Sequence, residues 1–194
     1  MPDRGRTYGS RSRDLIPGAT TTARPNPTDA SAGHYWLMRR DLALPIPAIH
    51  WPSSVTLRAF TLEHAAEVHR LLTLGYSSSE GSVPDYHIWL TALERNPESD
   101  LSRCFLAMLD DTVAGVIVCW TSAFIKDLVV HPEHQNKGIG FALLNHLFTH
   151  LANPLNPNGE ASVDLHVMES NQRARHLYEK SALSYVRRFP VPPS

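Results

Sequence analysis

The 194-residue chain carries 18 Lys and Arg against 19 Asp and Glu, for a formal net charge of -1, and 42% of its residues are hydrophobic. Charges this balanced offer no basic surface for nucleic acid, and no stretch reaches the ~18 consecutive apolar residues of a membrane span. The length suits one folded domain plus a tail.

Residues 1–53 are rich in Pro, Gly, Ser, Thr and Arg and have no sustained period, so the sequence predicts a disordered or extended tail there, unable to offset its ordering entropy. Met38-Arg39-Arg40 reads as an alternative native start, which would make the preceding residues an added segment, and removing residues 1–37 is expected to leave the fold intact. Leu42, Leu44, Ile46 and Ile49, punctuated by Pro45 and Pro47, are expected to lie extended against the domain. The start lacks the apolar core of a secretory signal, and Asp3, Asp14 and the Gly and Pro residues interrupt any transit-peptide helix, so the cytoplasm is the expected location.

Residues 54–194 have the texture of a domain. A strand is predicted over 55–60, followed by a helix opened by Thr61 with Leu62, Ala65, Val68 and Leu72 on one face. Pro84 and Asp85 open a second helix carrying Ile88, Trp89, Ala92 and Leu93, which Asn96-Pro97 ends. Strands over 104–108 and 113–120 meet across Asp110-Asp111, a hairpin turn sequence, and a third strand covers 124–130. Cys104 and Cys119 fall in these strands and read as buried, free thiols of a reducing compartment. A helix over 138–151 buries Leu143, Leu144, Leu147, Phe148 and Leu151, and the run 153–159 stops it. A strand over 161–167, a helix over 171–180 with Ala174, Leu177 and Tyr178 on one face, and a strand over 185–189 complete the series. The order β-α-α-β-β-β-α-β-α-β predicts an α/β fold with a mixed sheet.

The run His131-Pro132-Glu133-His134-Gln135-Asn136-Lys137-Gly138-Ile139-Gly140 joins a strand to a helix. Its glycines let main-chain N–H groups approach an anion, and the positive end of the helix dipole favours phosphate there. A strand-to-helix turn that binds nothing fits the same residues. A P-loop is excluded because G-x-x-x-x-G-K-[ST] is absent, and the dinucleotide fingerprint would need a small residue where Leu143 stands.

Preceded by Leu128-Val129-Val130-His131-Pro132, the pattern Gln135-x-x-Gly138-x-Gly140 resembles the signature of the GNAT superfamily of acyl-CoA-dependent N-acetyltransferases. The segment Asn171-x-x-Ala174-x-x-Leu177-Tyr178-Glu179-Lys180 is similar to the family's second common segment. The resemblance covers residues 55–189, most closely 124–180, and departs at Ala182-Leu183 and at Asn136. It implies a mixed, mostly antiparallel twisted sheet flanked by helices, and acetyl-CoA as acyl-donor cosubstrate. By this resemblance the amides of Gln135, Asn136, Lys137, Gly138, Ile139 and Gly140 would hold the CoA pyrophosphate, and main-chain groups of Leu128, Val129 and Val130 would pair with the pantetheine arm. Asn171 would contact that arm, and Tyr178 would stand near the sulfur, able to protonate the leaving thiolate. Asn171 also reads as a helix N-cap, and Tyr178 as a packed core residue.

Transfer to an amine needs a group that takes a proton before the lone pair attacks, and a donor for the oxyanion, read here as the Val129 or Val130 N–H. Asp127, beside the cofactor strand, and Glu80, in the loop bordering the acceptor cleft, are the candidate bases, with His131 and His166 behind them. No metal site is expected: His146 and His150 share a helix face but lack the Glu of a zinc protease motif, and His131 and His134 share only a loop. The function these features predict is transfer of an acetyl group from acetyl-CoA to a primary amine of a small metabolite or peptide in a ternary complex. A non-catalytic CoA-sensing or partner-binding module on the same fold is the alternative. Neither nucleic acid nor membrane is an expected partner, and the oligomeric state stays open, a homodimer included.

Overall fold

The computed structural model describes residues 33–76, 82–153 and 159–192. After β1 (His34–Asp41) come β2 (Val55–Ala59), α1 (Ala65–Tyr76), α2 (Tyr86–Arg95), β3 (Phe105–Leu109), β4 (Thr112–Cys119) and β5 (Phe124–Val130), then α3 (Ile139–Leu151), β6 (Ser162–Met168), α4 (Gln172–Lys180) and β7 (Ser184–Pro190). The strands form one seven-stranded sheet in the order β2-β3-β4-β5-β6-β1-β7. Every neighbouring pair is antiparallel except β5 and β6. The mixed, mostly antiparallel sheet flanked by helices is the fold expected from the sequence.

Local signals placed most elements well. The turn between β3 and β4 puts both Asp110 (φ 47°) and Asp111 (φ 60°) in the left-handed region, as a two-residue hairpin loop requires and as a short polar side chain tolerates. A bulge in β5 at Lys126 interrupts its alternation and puts Ile125 on one face and Val129, four residues on, on the other, each under a separate apolar layer. On one face α3 packs Leu143, Leu144, Leu147 and Phe148, all fully buried, against Ile125, Leu165 and Met38. On the other face α1 packs Val68, Leu71 and Leu72 against Leu106, Val116 and Val129. Each such side chain removed from water contributes roughly 1.5–3 kcal/mol. Cys104 and Cys119 are buried free thiols, and burial pushes both up to about 12. No helix among the described residues is long and apolar enough to cross a membrane.

The expected tail needs correction. Residues 34–41 form an internal strand, β1, paired along its length with β6 and, through a register shift at Leu37/Met38, with β7. Deleting residues 1–37 would therefore remove half of that strand. The segment escapes a reading by alternation because one of its inward positions is charged: Met38 and Arg40 are both buried, at 0% and 1% exposure. Arg40 donates to the carbonyl oxygens of Ser181 (2.9 Å), Leu44 (3.2 Å) and Pro45 (2.9 Å), and its guanidinium lies 4.9 Å from the Phe148 ring centroid. Burial lowers its pKa from the ordinary value, partly opposed by Asp41. Beyond β1, Leu42 is buried and Ile46 packs on the core, as expected of that apolar group, whereas Leu44 is 43% exposed; Trp51, outside the group, also packs there. Residues 1–32 of the expected tail lie outside the described residues.

Candidate active site at the split between two strands

Strands β5 and β6 are seven residues each, yet they pair only at Phe124↔Asp164 and Ile125↔Leu165. From Lys126 and His166 onward they separate and leave a gap in the middle of the sheet. A bulge marks the departure: Asp127 stands opposite Val118 and Ile125 opposite Cys119, so Lys126 is the extra residue. The His131 N–H bonds to Ala114 on β4 at 2.8 Å. By strand alternation the Val129 N–H also points to β4, and the N–H groups of Leu128 and Val130 point into the gap. Of the two oxyanion donors considered from the sequence, this geometry favours Val130. Its carbonyl is already taken by Gln135 Nε2 at 2.9 Å.

The loop after β5 turns through Pro132–His134, then places Asn136 at φ 60° and Gly138 at φ 87°. Gly138 is the N-cap of α3 and brings no side chain to the first-turn amides, so those N–H groups and the positive end of the helix are left for an anion. A Cβ at Gly138 would meet nothing within 4 Å, whereas one at Gly140 would lie 3.1 Å from Leu177 Cδ2. The first glycine is thus required by its backbone conformation beside open space. The second lets α4 close against α3. Arg173 of α4 donates to Gln135 Oε1 and, at 3.0 Å, to Asn136 Oδ1, tying the loop to α4 and adding a positive charge beside it. Nothing in the sequence pattern singled out Arg173, because its partners are on a loop 37 and 38 positions away.

Tyr178 is 8% exposed on the inner side of α4, and burial followed by the field of Asp127 raises its phenol above the ordinary value. Asp127, also buried, accepts a 2.6 Å hydrogen bond from Tyr76 Oη and lies 3.6 Å from Lys126 Nζ. Burial and Asp127 likewise raise the Tyr76 phenol, which also senses Tyr178. The fold therefore gathers Asp127, Tyr178 and Tyr76 where β5 leaves β6. Tyr76, the last residue of α1, was not a candidate from the sequence; only the packing of α1 across β5 brings it there. Asn171 caps α4 by accepting from the Ala174 N–H at 3.0 Å, so that side-chain oxygen is engaged in the helix cap.

Glu80, with loop residues 77–81, lies outside the described residues. His146 and His150 set their rings edge-on to Phe105, at 4.5 and 5.2 Å, rather than converging on a shared point with an acid. His131, Glu133 and His134 each bring a ligand atom within 4.8 Å of the others, but Glu133 is exposed and the His131 Nδ1 accepts from the Glu133 N–H at 3.4 Å.

The chain shares its fold with a GCN5-related N-acetyltransferase from Sphaerobacter thermophilus, at 21% identity and a TM-score of 0.65, over 84% of this chain and 53% of that one. A Drosophila protein matches at 18% identity and a TM-score of 0.61, over 80% of this chain and 48% of that one. The chain thus spans about half the length of these two structures. The diaminobutyrate acetyltransferase EctA from Paenibacillus lautus, solved with L-2,4-diaminobutyric acid and coenzyme A, matches at 21% identity and a TM-score of 0.51, over 65% of this chain and 73% of that one. No curated protein matches the chain in sequence. The sequence profile of the GNAT acetyltransferase family, however, matches residues 65–182, from the first residue of α1 to just past α4. That span takes in the glycine loop, the split and Tyr178, and is more than half of the chain, which belongs to the GNAT acetyltransferase family.

Proposed function

We propose that this protein transfers an acetyl group from acetyl-CoA to a primary amine of a small metabolite or peptide, by direct attack of the amine within a ternary complex. The observation that carries the reading is the split: two strands of one sheet separate after their second pair, and main-chain donors face the gap beside a helix N-terminus with no side-chain cap. A cosubstrate with an anionic pyrophosphate and an amide-bearing arm needs those two features together. The residues present fit it, since open space adjoins Gly138 and Arg173 adds positive charge to the same loop. Acetyl-CoA supplies an acyl group already activated as a thioester.

Each residue then has a defined task. In this reading Asp127, which accepts a hydrogen bond from Tyr76, takes the proton from the incoming amine. In the same reading the Val130 N–H stabilises negative charge on the acyl oxygen. Tyr178, with its phenol pKa raised, stays protonated at neutral pH and suits donation to the leaving sulfur. No covalent bond to the protein is required. Glu80 stays a second candidate base, from the sequence alone. The EctA structure that holds coenzyme A and an amine substrate together supports a ternary complex on this fold.

Calorimetric titration of the full chain with CoA tests the proposal. Wild-type protein should bind CoA and melt at a higher temperature with it, because a ligand bound only by the folded state stabilises that state. Gly138→Val should weaken binding by more than about tenfold, since a β-branched residue is strained at φ 87° and its methyls would occupy the anion approach. Folded wild-type protein that binds no CoA refutes the proposal.

A further inference from the structure

The face of the sheet that carries Asp127 continues past the split as a floor of rings. Val163, Leu165 and Val167 belong to the layer under α3, so His166, alternating with them, points to the opposite face. There it meets Tyr35 of β1 at 4.9 Å, Phe124 of β5 at 5.0 Å and Phe189 of β7 at 6.1 Å between ring centroids. Tyr35 and Phe189 stack on each other at 5.3 Å, 16° from parallel. The rings of Tyr35, Phe124 and Phe189 are only half-buried, and His166 is exposed. The helices of this side, α1 and α2, pack on β4, β5 and each other.

Two of the four rings come from outside the family-matched residues 65–182, on β1 and β7. The matched part holds the glycine loop and the split, and β1 and β7, outside it, complete the floor. That surface is continuous with the split at Phe124, the last β5 position but one still paired with β6. Asp127 stands three residues further along the strand, but with Lys126 bulged out this is two ladder steps, about 7 Å at ~3.3 Å per residue, a span that an aryl ring on a short alkylamine fills. The chemistry at the two ends is complementary to such a molecule: a buried carboxylate for the ammonium and, for the ring, the aromatic edges and faces left beside the Tyr35–Phe189 stack and Arg187, which lies 5.0 Å over Phe189.

We infer that the ring floor of Tyr35, Phe124, His166 and Phe189 binds the acceptor and selects primary amines carried on an aromatic group, with the amine directed to Asp127. The inference rests on the acetyl-transfer reading above and narrows its acceptor class. Aliphatic diamines and aminosugars offer only methylene or C–H surface and no aromatic face to set against the rings, so they should be poorer acceptors even where their amines are equally reactive.

The test is thiol release from acetyl-CoA by the full chain with phenethylamine, tyramine and tryptamine against putrescine, lysine and glucosamine. The arylalkylamines should be used with kcat/KM at least about tenfold higher. Tyr35→Leu and Phe189→Leu, which keep apolar strand residues, should each lower that value by about three- to tenfold. The loss should appear mainly in KM, with CoA affinity and melting temperature little changed. Aliphatic amines used as well as or better than the aryl set overturn the inference, as do variants that affect both sets alike. If CoA binds but no amine turns over, calorimetry with phenethylamine and CoA decides, and absence of binding overturns the acceptor assignment while the cofactor site stands. Absence of CoA binding overturns both readings. Self-association that the two Leu variants abolish would give the floor to a second copy of the chain and overturn the inference as well.

Discussion

Replacing Arg40 by Met tests whether a buried cation is what holds β1 inside the sheet. The side chain bonds three carbonyl oxygens, and hydrogen bonds to a charged group contribute about 1.5–3 kcal/mol each. The guanidinium over Phe148 adds about 0.5–2 kcal/mol. Against this stands the cost of taking the cation out of water, several kcal/mol, with Nε buried and lacking a partner among the described residues. Met keeps much of the volume and removes that cost, but it leaves the Ser181 carbonyl without its donor. Ser181 is 1% exposed and caps the C-terminal end of α4, so water cannot readily replace the lost bond. The net expectation is a loss of about 2–4 kcal/mol, which at roughly 2–4 °C per kcal/mol for a chain of this size lowers Tm by about 4–16 °C. Urea and thermal unfolding of wild type, Arg40→Met and Arg40→Lys provide the measurement, with Lys intermediate because it lacks the planar fork. A Met variant as stable as wild type, or more so, would mean that desolvation outweighs the three bonds and that apolar packing alone registers β1.

Tyr178→Phe should lower turnover by roughly 10- to 1,000-fold with CoA affinity nearly unchanged, since the ring stays packed and only the proton donor is lost. Equal turnover when chemistry limits the rate would assign Tyr178 to packing. Acidification should destabilise the protein through His146, whose pKa burial and the neighbouring His150 hold below the ordinary 6.5. The unfolded chain then takes up protons first, so stability declines as pH falls through 6.5 toward the lower folded value and is level above that range. Urea midpoints measured from pH 8 to pH 5.5 in wild type and His146→Leu should show a shallower acid decline in the variant. A midpoint that stays flat or rises on acidification in wild type contradicts the sign of the argument.

Local patterns in the sequence were enough to place β5, the hairpin turn, α3 and α4, because each signal lies within a few residues of what it specifies. The left-handed conformation at Gly138 and the cap at Asn171 belong to the same class, whereas the bulge at Lys126 that turns Ile125 and Val129 to opposite faces does not show in the alternation. The family resemblance likewise rested on two short segments, and those segments contain the loop and Tyr178. What the sequence left undecided depends on pairs far apart in the chain. Strand β1 joins the sheet because Met38 pairs with Leu165 and Arg40 reaches Ser181, and neither partner can be read from the Arg-rich segment itself. The Tyr76 to Asp127 bond, the grip of Arg173 on the loop and the ring floor from Tyr35 to Phe189 arise the same way. Periodicity reports which face of an element is apolar, whereas which element covers that face, and which polar groups then meet, is decided only when the whole sheet closes its hydrogen bonds and packs both sides.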